Sequence, residues 1–308
     1  MKEQTTNHIL MVRPANFGYN AETAMNNRFQ EKPADISAED IQKLALIEFD
    51  NFVFQLEKKG VNVMVVEDTE EPMKPDAIYP NNWFTTHRDG SFITYPMYAK
   101  SRRLERREEI INQIGDNFTI ANRYSFEQYE EEDKFLEGTG SMVLDREKKI
   151  VYACLSPRTD VSLVDKFCLL KGYKKEVFTA TDEKGEQVYH TNVMMTLGSQ
   201  IAIVCFEAID EEEERSSLLK LLNNSGKGVI EITRDQMSHF AGNMIELHNE
   251  EGEPLFVMSH QARKSLNKSQ MKKLNDFATV IAPDIPTIEK YGGGSVRCMI
   301  AEIFLSEL

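Results

Sequence analysis

Apolar positions fall into short continuous or alternating runs, separated by longer stretches with helical spacing. HILMVRP reads as a strand. Ser37, with Asp40 three residues on, then caps a long amphipathic helix that ends before Gly60. VNVMVV is a strand. AIYPNNWFTTH and SFITYP flank the turn Arg88-Asp89-Gly90 and read as a hairpin. SRRLERREEIINQI is a helix, and EGTGSMVLD and KIVYACL form a second hairpin. VSLVDKFCLLKG is a helix closed by Gly172, and KEVFTA is a strand. VYHTNVMMTLG and QIAIVCF pair across Gly198-Ser199. A helix from Glu211, the strands GVIEI, NMIEL and PLFVMS, a helix near 268–277, the strand TVIAP and the segment SVRCMIAEIFL complete the chain. The order of two strands, a helix and a strand recurs close to five times, at about 62 residues per unit. The units share little sequence. The pattern alone implies an α/β chain rich in hairpins; an ordinary α/β sandwich or two α/β domains are the alternatives.

Composition narrows the class. Of 308 residues, 41% are hydrophobic, enough to bury a sizeable core. The net charge of −14 argues against nucleic acid or an anionic membrane as a partner, but leaves room for a local basic pocket. No run approaches the roughly 18 apolar residues of a membrane span, and the first residues lack a signal pattern, so a cytoplasmic location is expected. Cys154, Cys168, Cys205 and Cys298 show neither CxxC nor paired spacing, which suggests no disulfide framework and no zinc site. The histidines form no HExxH and no GxGxxG follows a strand, so neither a metal nor a nucleotide cofactor is expected.

Candidate chemistry is scattered. Cys154, Cys168 and Cys205 sit in apolar runs and read as core residues. Cys298 follows three glycines and Ser-Val-Arg297, a loop that allows close approach of a ligand; Arg297 would favour its thiolate if it faced the same way. The plain alternative is a core Cys on a terminal strand. Strand period puts His190 and Asn192 on one face. A lone strand His is more often structural, yet a Cys with a distant His is the minimum for thiol catalysis. Glu137 precedes Gly138 and Gly140 without the GK[ST] of a phosphate loop, and reads equally as a strand-entry turn. Asp76, Asn81 and Asn82 precede the single Trp83 and read equally as a capped turn. The basic run 100–107, taken alone, reads as a solvated helix face.

Taken in order, these fragments resemble the guanidino-group-modifying enzymes of the pentein fold: arginine deiminases, dimethylarginine dimethylaminohydrolases and amidinotransferases. The resemblance runs from MVRPANFGYN to GGGSVRCM and is nearest to the citrulline-utilisation (citrulline ureidase-like) hydrolases. It implies one domain over residues 1–308, a five-bladed α/β propeller of ββαβ units with pseudo-fivefold symmetry and a site in the central channel. It also implies that Cys298 attacks the guanidino or ureido carbon, that His190 is the general acid/base, and that Glu137 binds the reacting group and orients the His. By the same resemblance Asp76, Arg158 and Arg103 hold the amino-acid end, with Arg102 a rival for Arg103. Phe17 or Asn16 of the N-terminal loop would cover the ligand; His239 and Asn243 read equally as lining the channel or as purely structural residues. The partner is a small amino acid, with a homo-oligomer possible.

The departures from those relatives point to the substrate. Guanidinium-using relatives commonly carry Glu-Asp or Arg-Asp where this chain has Asn81-Asn82, and arginine deiminases carry His-x-Asp where it has His190-x-Asn192. Some guanidino hydrolases also carry His-x-Asn, so Asn82 bears the weight. A guanidinium keeps its charge and is costly to bury with too few anions, whereas a ureido group is neutral and offers both acceptor and donors. The expected reaction is hydrolysis of citrulline to ornithine, ammonia and carbon dioxide, with Asn82 and Asn192 holding the ureido group. The rivals are an arginine deiminase or dimethylarginine dimethylaminohydrolase, an amidinotransferase, and a non-catalytic pentein-fold binding protein.

Overall fold

A computed structural model of the chain describes residues 4–308. Among them fifteen strands form five three-stranded sheets. The first joins β1 (His8–Arg13), β2 (Asn62–Glu67) and the last strand, Ala301–Glu302; the second is β3 (Phe84–Thr86), β4 (Ser91–Thr94) and β5 (Asn122–Ser125). The third is β6 (Val143–Asp145), β7 (Ile150–Cys154) and β8 (Lys174–Phe178). The fourth is β9 (Met195–Leu197), β10 (Ile201–Val204) and β11 (Gly228–Glu231). The fifth is β12 (Ile245–His248), β13 (Pro254–Val257) and β14 (Thr279–Ile281); the strand Ala301–Glu302 is β15.

Every sheet repeats one plan. A central strand has an antiparallel partner on one side and a parallel partner on the other, as Ile9 pairs with Glu302 and with Val63. A parallel partner needs a crossover, and a helix supplies it each time. The helix Ala38–Glu57 links β1 to β2, Glu108–Gly115 lies between β4 and β5, Val161–Lys171 between β7 and β8, and Glu212–Asn224 between β10 and β11. His260–Ser265 and Lys268–Asn275 lie between β13 and β14. The central strands β7 and β10 are buried throughout, which is why they read as apolar runs without alternation. Phe49, Phe52 and Leu56 of the first helix pack with Ile9 and Met11, each large side chain contributing about 1.5–3 kcal/mol. The antiparallel strands face inward: β15 contacts β3, β6 contacts β9, and β9 contacts β12. No helix among the described residues is long and apolar enough to cross a membrane.

Three expected strands begin later than their sequence suggests. Residues 80–82, 138–141 and 191–194 are buried helical turns that precede β3, β6 and β9. Pro80 lacks the N–H a ladder needs, and Gly138 has φ +46°. Thr191 spends its hydroxyl on the backbone of Cys154 and Ser141 instead of extending the strand. His190 and Asn192 therefore leave a turn, not one face of a strand. The expected single helix at 101–114 is also two pieces, Lys100–Arg103 and Glu108–Gly115. Arg102 at the end of the first piece and Glu105 between the two turn inward and pair, so the basic run is not a solvated face.

Candidate active site

Each sheet carries such a turn at the inner end of its antiparallel strand, and the turns bring Asn82, Glu137, His190, Asn192, Asn243 and Cys298 together. Cys298 lies between the helix Pro286–Gly292 and β15 and is 4% exposed. The glycines before it are needed for close approach. Gly293 has φ +64°, and a side chain at Gly294 would stand 2.9 Å from the Tyr79 ring. Tyr189 donates its hydroxyl to the Gly293 carbonyl at 2.8 Å, and Asn27 donates its amide to the same oxygen at 3.1 Å. Asn243 and Asn192 aim amide N–H groups at the Cys298 sulfur, at 3.2 and 3.5 Å, where they stabilise negative charge. Arg297 does not: its guanidinium runs to Glu302 and the Ile300 carbonyl. The other three cysteines are buried core residues, and burial pushes Cys154 up to about 12 and Cys168 and Cys205 up to about 11.

His190 and Glu137 form a fully buried pair, with Nε2 2.7 Å from Oε2. The other Glu137 oxygen accepts the Tyr98 N–H at 2.9 Å. Burial alone would raise the Glu137 carboxyl, but Arg158, His190 and Arg102 together hold it well below the usual range. Burial pushes His190 down to about 4; Glu137 pulls the other way without winning, and Arg158 and Arg102 add to the lowering. The imidazole is therefore neutral at pH 7. With Glu137 accepting at Nε2, Nδ1 is the nitrogen free to take a proton. Glu137 does not line the cavity but lies behind the His, so it orients the ring rather than reaching a ligand.

Asn82 lies beside the same ring. A Cβ at Gly140 would stand 2.7 Å from His190 Nδ1 and would also collide with the Asn82 amide nitrogen, so glycine is what lets the two converge. Arg102 donates to Asn82 Oδ1 at 2.7 Å and holds Glu105 through two contacts of 2.9 Å. An arginine has only donors, so the Asn82 carbonyl must face it, and Asn82 Nδ2 is left buried without a partner. Asp76 accepts from Asn20 and Thr23 through one oxygen and keeps the other unpartnered. Burial raises its carboxyl against the pull of Arg102. Arg158 donates to Asn26 and the Thr23 carbonyl and sits over the Tyr189 ring.

A small cavity is lined by Asp76, Asn82, Arg102, Arg158, His190 and Cys298, with Tyr79, Tyr189 and the glycine loop. Arg102, not Arg103, reaches it. Arg103 points outward to the Met97 carbonyl and Glu130, because one residue along a helical turn swings a side chain by about a quarter-circle. Asn81 is buried with its amide on Thr139 and does not line the cavity. Asn192 donates to the sulfur but lines a second cavity instead of this one. Asn16 and Phe17 do not cover the site: Asn16 binds the Glu70 carbonyl and Phe17 is core. Thr23, Asn27 and Gln30 of that loop do. His239 is exposed and lies outside. The residues missed are Tyr79, Tyr189, Glu105 and the amide-rich loop 20–30. Only the loop carried a signal, a long stretch without helical or strand period.

A family model described as N,N dimethylarginine dimethylhydrolase, eukaryotic, matches residues 13–305. No curated protein matches the chain. Among solved structures it is similar to an N-terminal domain of ArgZ covalently bound to a reaction intermediate: 16% identity, TM-score 0.73, 96% of this chain and 97% of that one. Full-length apo ArgZ, an arginine dihydrolase from the ornithine-ammonia cycle in Cyanobacteria, gives 17% and 0.74 over 98% of this chain, which spans 41% of that one. A dimethylarginine dimethylaminohydrolase adduct with S-methyl-L-thiocitrulline gives 17% and 0.67 over 96% of this chain and 99% of that one. At such identities the likeness is one of fold.

Proposed function

We propose that this chain, which belongs to the N,N dimethylarginine dimethylhydrolase family within the guanidino-group-modifying pentein superfamily, is a cysteine-dependent C–N hydrolase whose substrate is citrulline. The observation that carries the substrate is Asn82. Its free atom is a buried donor, which suits a ureido oxygen; a guanidinium, all donors, cannot accept from it. The unpartnered Asp76 oxygen suits an α-ammonium, and Arg102 and Arg158 suit an α-carboxylate.

In this reading the Cys298 sulfur attacks the ureido carbon while its proton passes to neutral His190. His190 delivers that proton to the ornithine nitrogen as the C–N bond breaks, leaving a carbamoyl thioester. Water then adds, its proton returns through His190 to the sulfur, and the carbamate released falls to ammonia and carbon dioxide. Asn192 and Asn243 steady the sulfur. The five sheets read as blades of a closed propeller with pseudo-fivefold symmetry, one domain throughout, and the enzyme as cytoplasmic.

A second reading takes arginine or a methylated arginine as substrate. What favours it is the buried charge at and behind the cavity wall: Asp76 on the wall, with Glu105 and Glu137 behind it, outnumber Arg102 and Arg158, so an added cation is balanced. Purified protein given citrulline, arginine and dimethylarginine separately, with ornithine, citrulline and ammonia measured, decides. Ornithine from citrulline supports the first reading; citrulline formed from arginine and left untouched sinks it. Product that depends on an added amine would mark an amidinotransferase, and activity that survives Cys298→Ala would remove the thiol mechanism.

A further inference from the structure

The helix Ala38–Glu57 buries one face and leaves a second apolar stripe uncovered. Leu44, Ile47 and Phe54 are 42%, 58% and 60% exposed, although each is a large apolar side chain. With Asp40, Asn51 and Lys58, also exposed, they recur at alternating spacings of four and three. That is the seam spacing of a two-helix coiled coil, which a helix needing only its own core does not require. Six seam positions on one solvent-facing line lie outside both cavities of the site.

We propose that this stripe is the contact through which a second copy of the chain binds, the two helices lying antiparallel about a twofold axis near Phe49. The pattern is complementary to itself in that arrangement alone. Each pair of facing positions then has numbers summing to 98. Leu44 meets the partner's Phe54, Ile47 meets the partner's Asn51, and Asp40 meets the partner's Lys58. Beside the seam, Lys43 falls near the partner's Glu57. Asp50 falls near its own copy at the axis, but Arg13 already neutralises it with two contacts of 2.8 and 2.9 Å. A parallel pairing would set each Asp40 against Asp40 and each Lys58 against Lys58. A twofold contact uses the same patch on both copies, and the acidic start and basic end of this seam meet that need. A helix of this length offers a seam of about 30 Å.

Sedimentation equilibrium of the full chain over a micromolar concentration series tests it. The expected result is a mass rising from that of the 35.4 kDa chain toward twice that value. Phe54→Glu should return it to monomer with the circular dichroism spectrum unchanged. Lys43→Glu and Glu57→Lys should each weaken association about tenfold, and the double variant should restore it. A monomer at every concentration, or a dimer indifferent to Phe54→Glu, overturns the proposal. A double variant no better than the singles overturns the antiparallel arrangement.

Discussion

Asn82 gives its carbonyl oxygen to Arg102 at 2.7 Å and keeps its amide nitrogen, beside the His190 ring, for something else. The orientation of this amide is set by a neighbour that can only donate. Asn82→Asp removes the donor and adds an anion. The kcat/KM for citrulline should fall about 100-fold or more, because a reacting oxygen loses its partner inside a dry site. Activity on arginine, relative to citrulline, should rise. An unchanged ratio removes Asn82 from substrate choice.

Acid should weaken the fold through His190. Its folded value of about 4 lies below the ordinary 6.5, so between those pH values the unfolded chain holds the extra proton. Stability present above pH 6.5 is lost as pH falls toward 4, by up to about 3 kcal/mol. Glu137, also depressed, adds loss in the same direction below its ordinary value. Urea unfolding at pH 7.0, 5.5 and 4.5 measures this, and His190→Gln should flatten the upper part of the fall.

Adjacent arginines should behave differently. Arg102→Lys loses the forked contact to Glu105 and the bond to Asn82, and should raise KM at least tenfold. Arg103→Lys changes only an outward pairing with Glu130 and should leave KM within twofold. Equal effects would contradict the geometry.

Asn243→Ala removes the nearer donor to the Cys298 sulfur. Iodoacetamide should then alkylate Cys298 more slowly at pH 7, and kcat should drop about 10–100-fold with little change in KM. Unaltered alkylation would mean the amide does not act on the sulfur.

Glu289 receives the Ser295 hydroxyl at 2.6 Å, three residues before Cys298. Burial pushes its carboxyl up to about 7; Ser259 and Ser295 oppose this, and Glu48 and Asp284 add to it. A raised acid contributes stability that is lost as pH rises from about 4.5 through 7. Glu289→Gln should therefore stabilise the chain at pH 8 by about 2 kcal/mol relative to pH 5. Thermal melts at both pH values report the difference.

The outer parts of each unit were legible because burial there is one-sided. The crossover helices show helical spacing around Ser37 and Gly172 caps, and the central strands are continuous apolar runs. The inner turns were not legible. Glu137 and His190 are buried by each other across 53 residues and two sheets, and Asn82 by Arg102, 20 residues on and past a strand pair; no local period records those partners. The same holds for Arg102 against Arg103. Both are basic, both neighbour a helix, and only the distant Asn82 and the local Glu105 determine which one turns inward.

Pairing of β15 with β1 brings together strands from opposite ends of the described chain, and Cys298 lies three residues before β15. During synthesis Cys298 emerges after every other residue lining the cavity has left the ribosome. A partly made chain can thus build four sheets and hold His190 without carrying Cys298 in place. Activity is in that sense a reporter of assembly through β15, and a pulse-labelled translation mixture should gain it only in chains made past that strand.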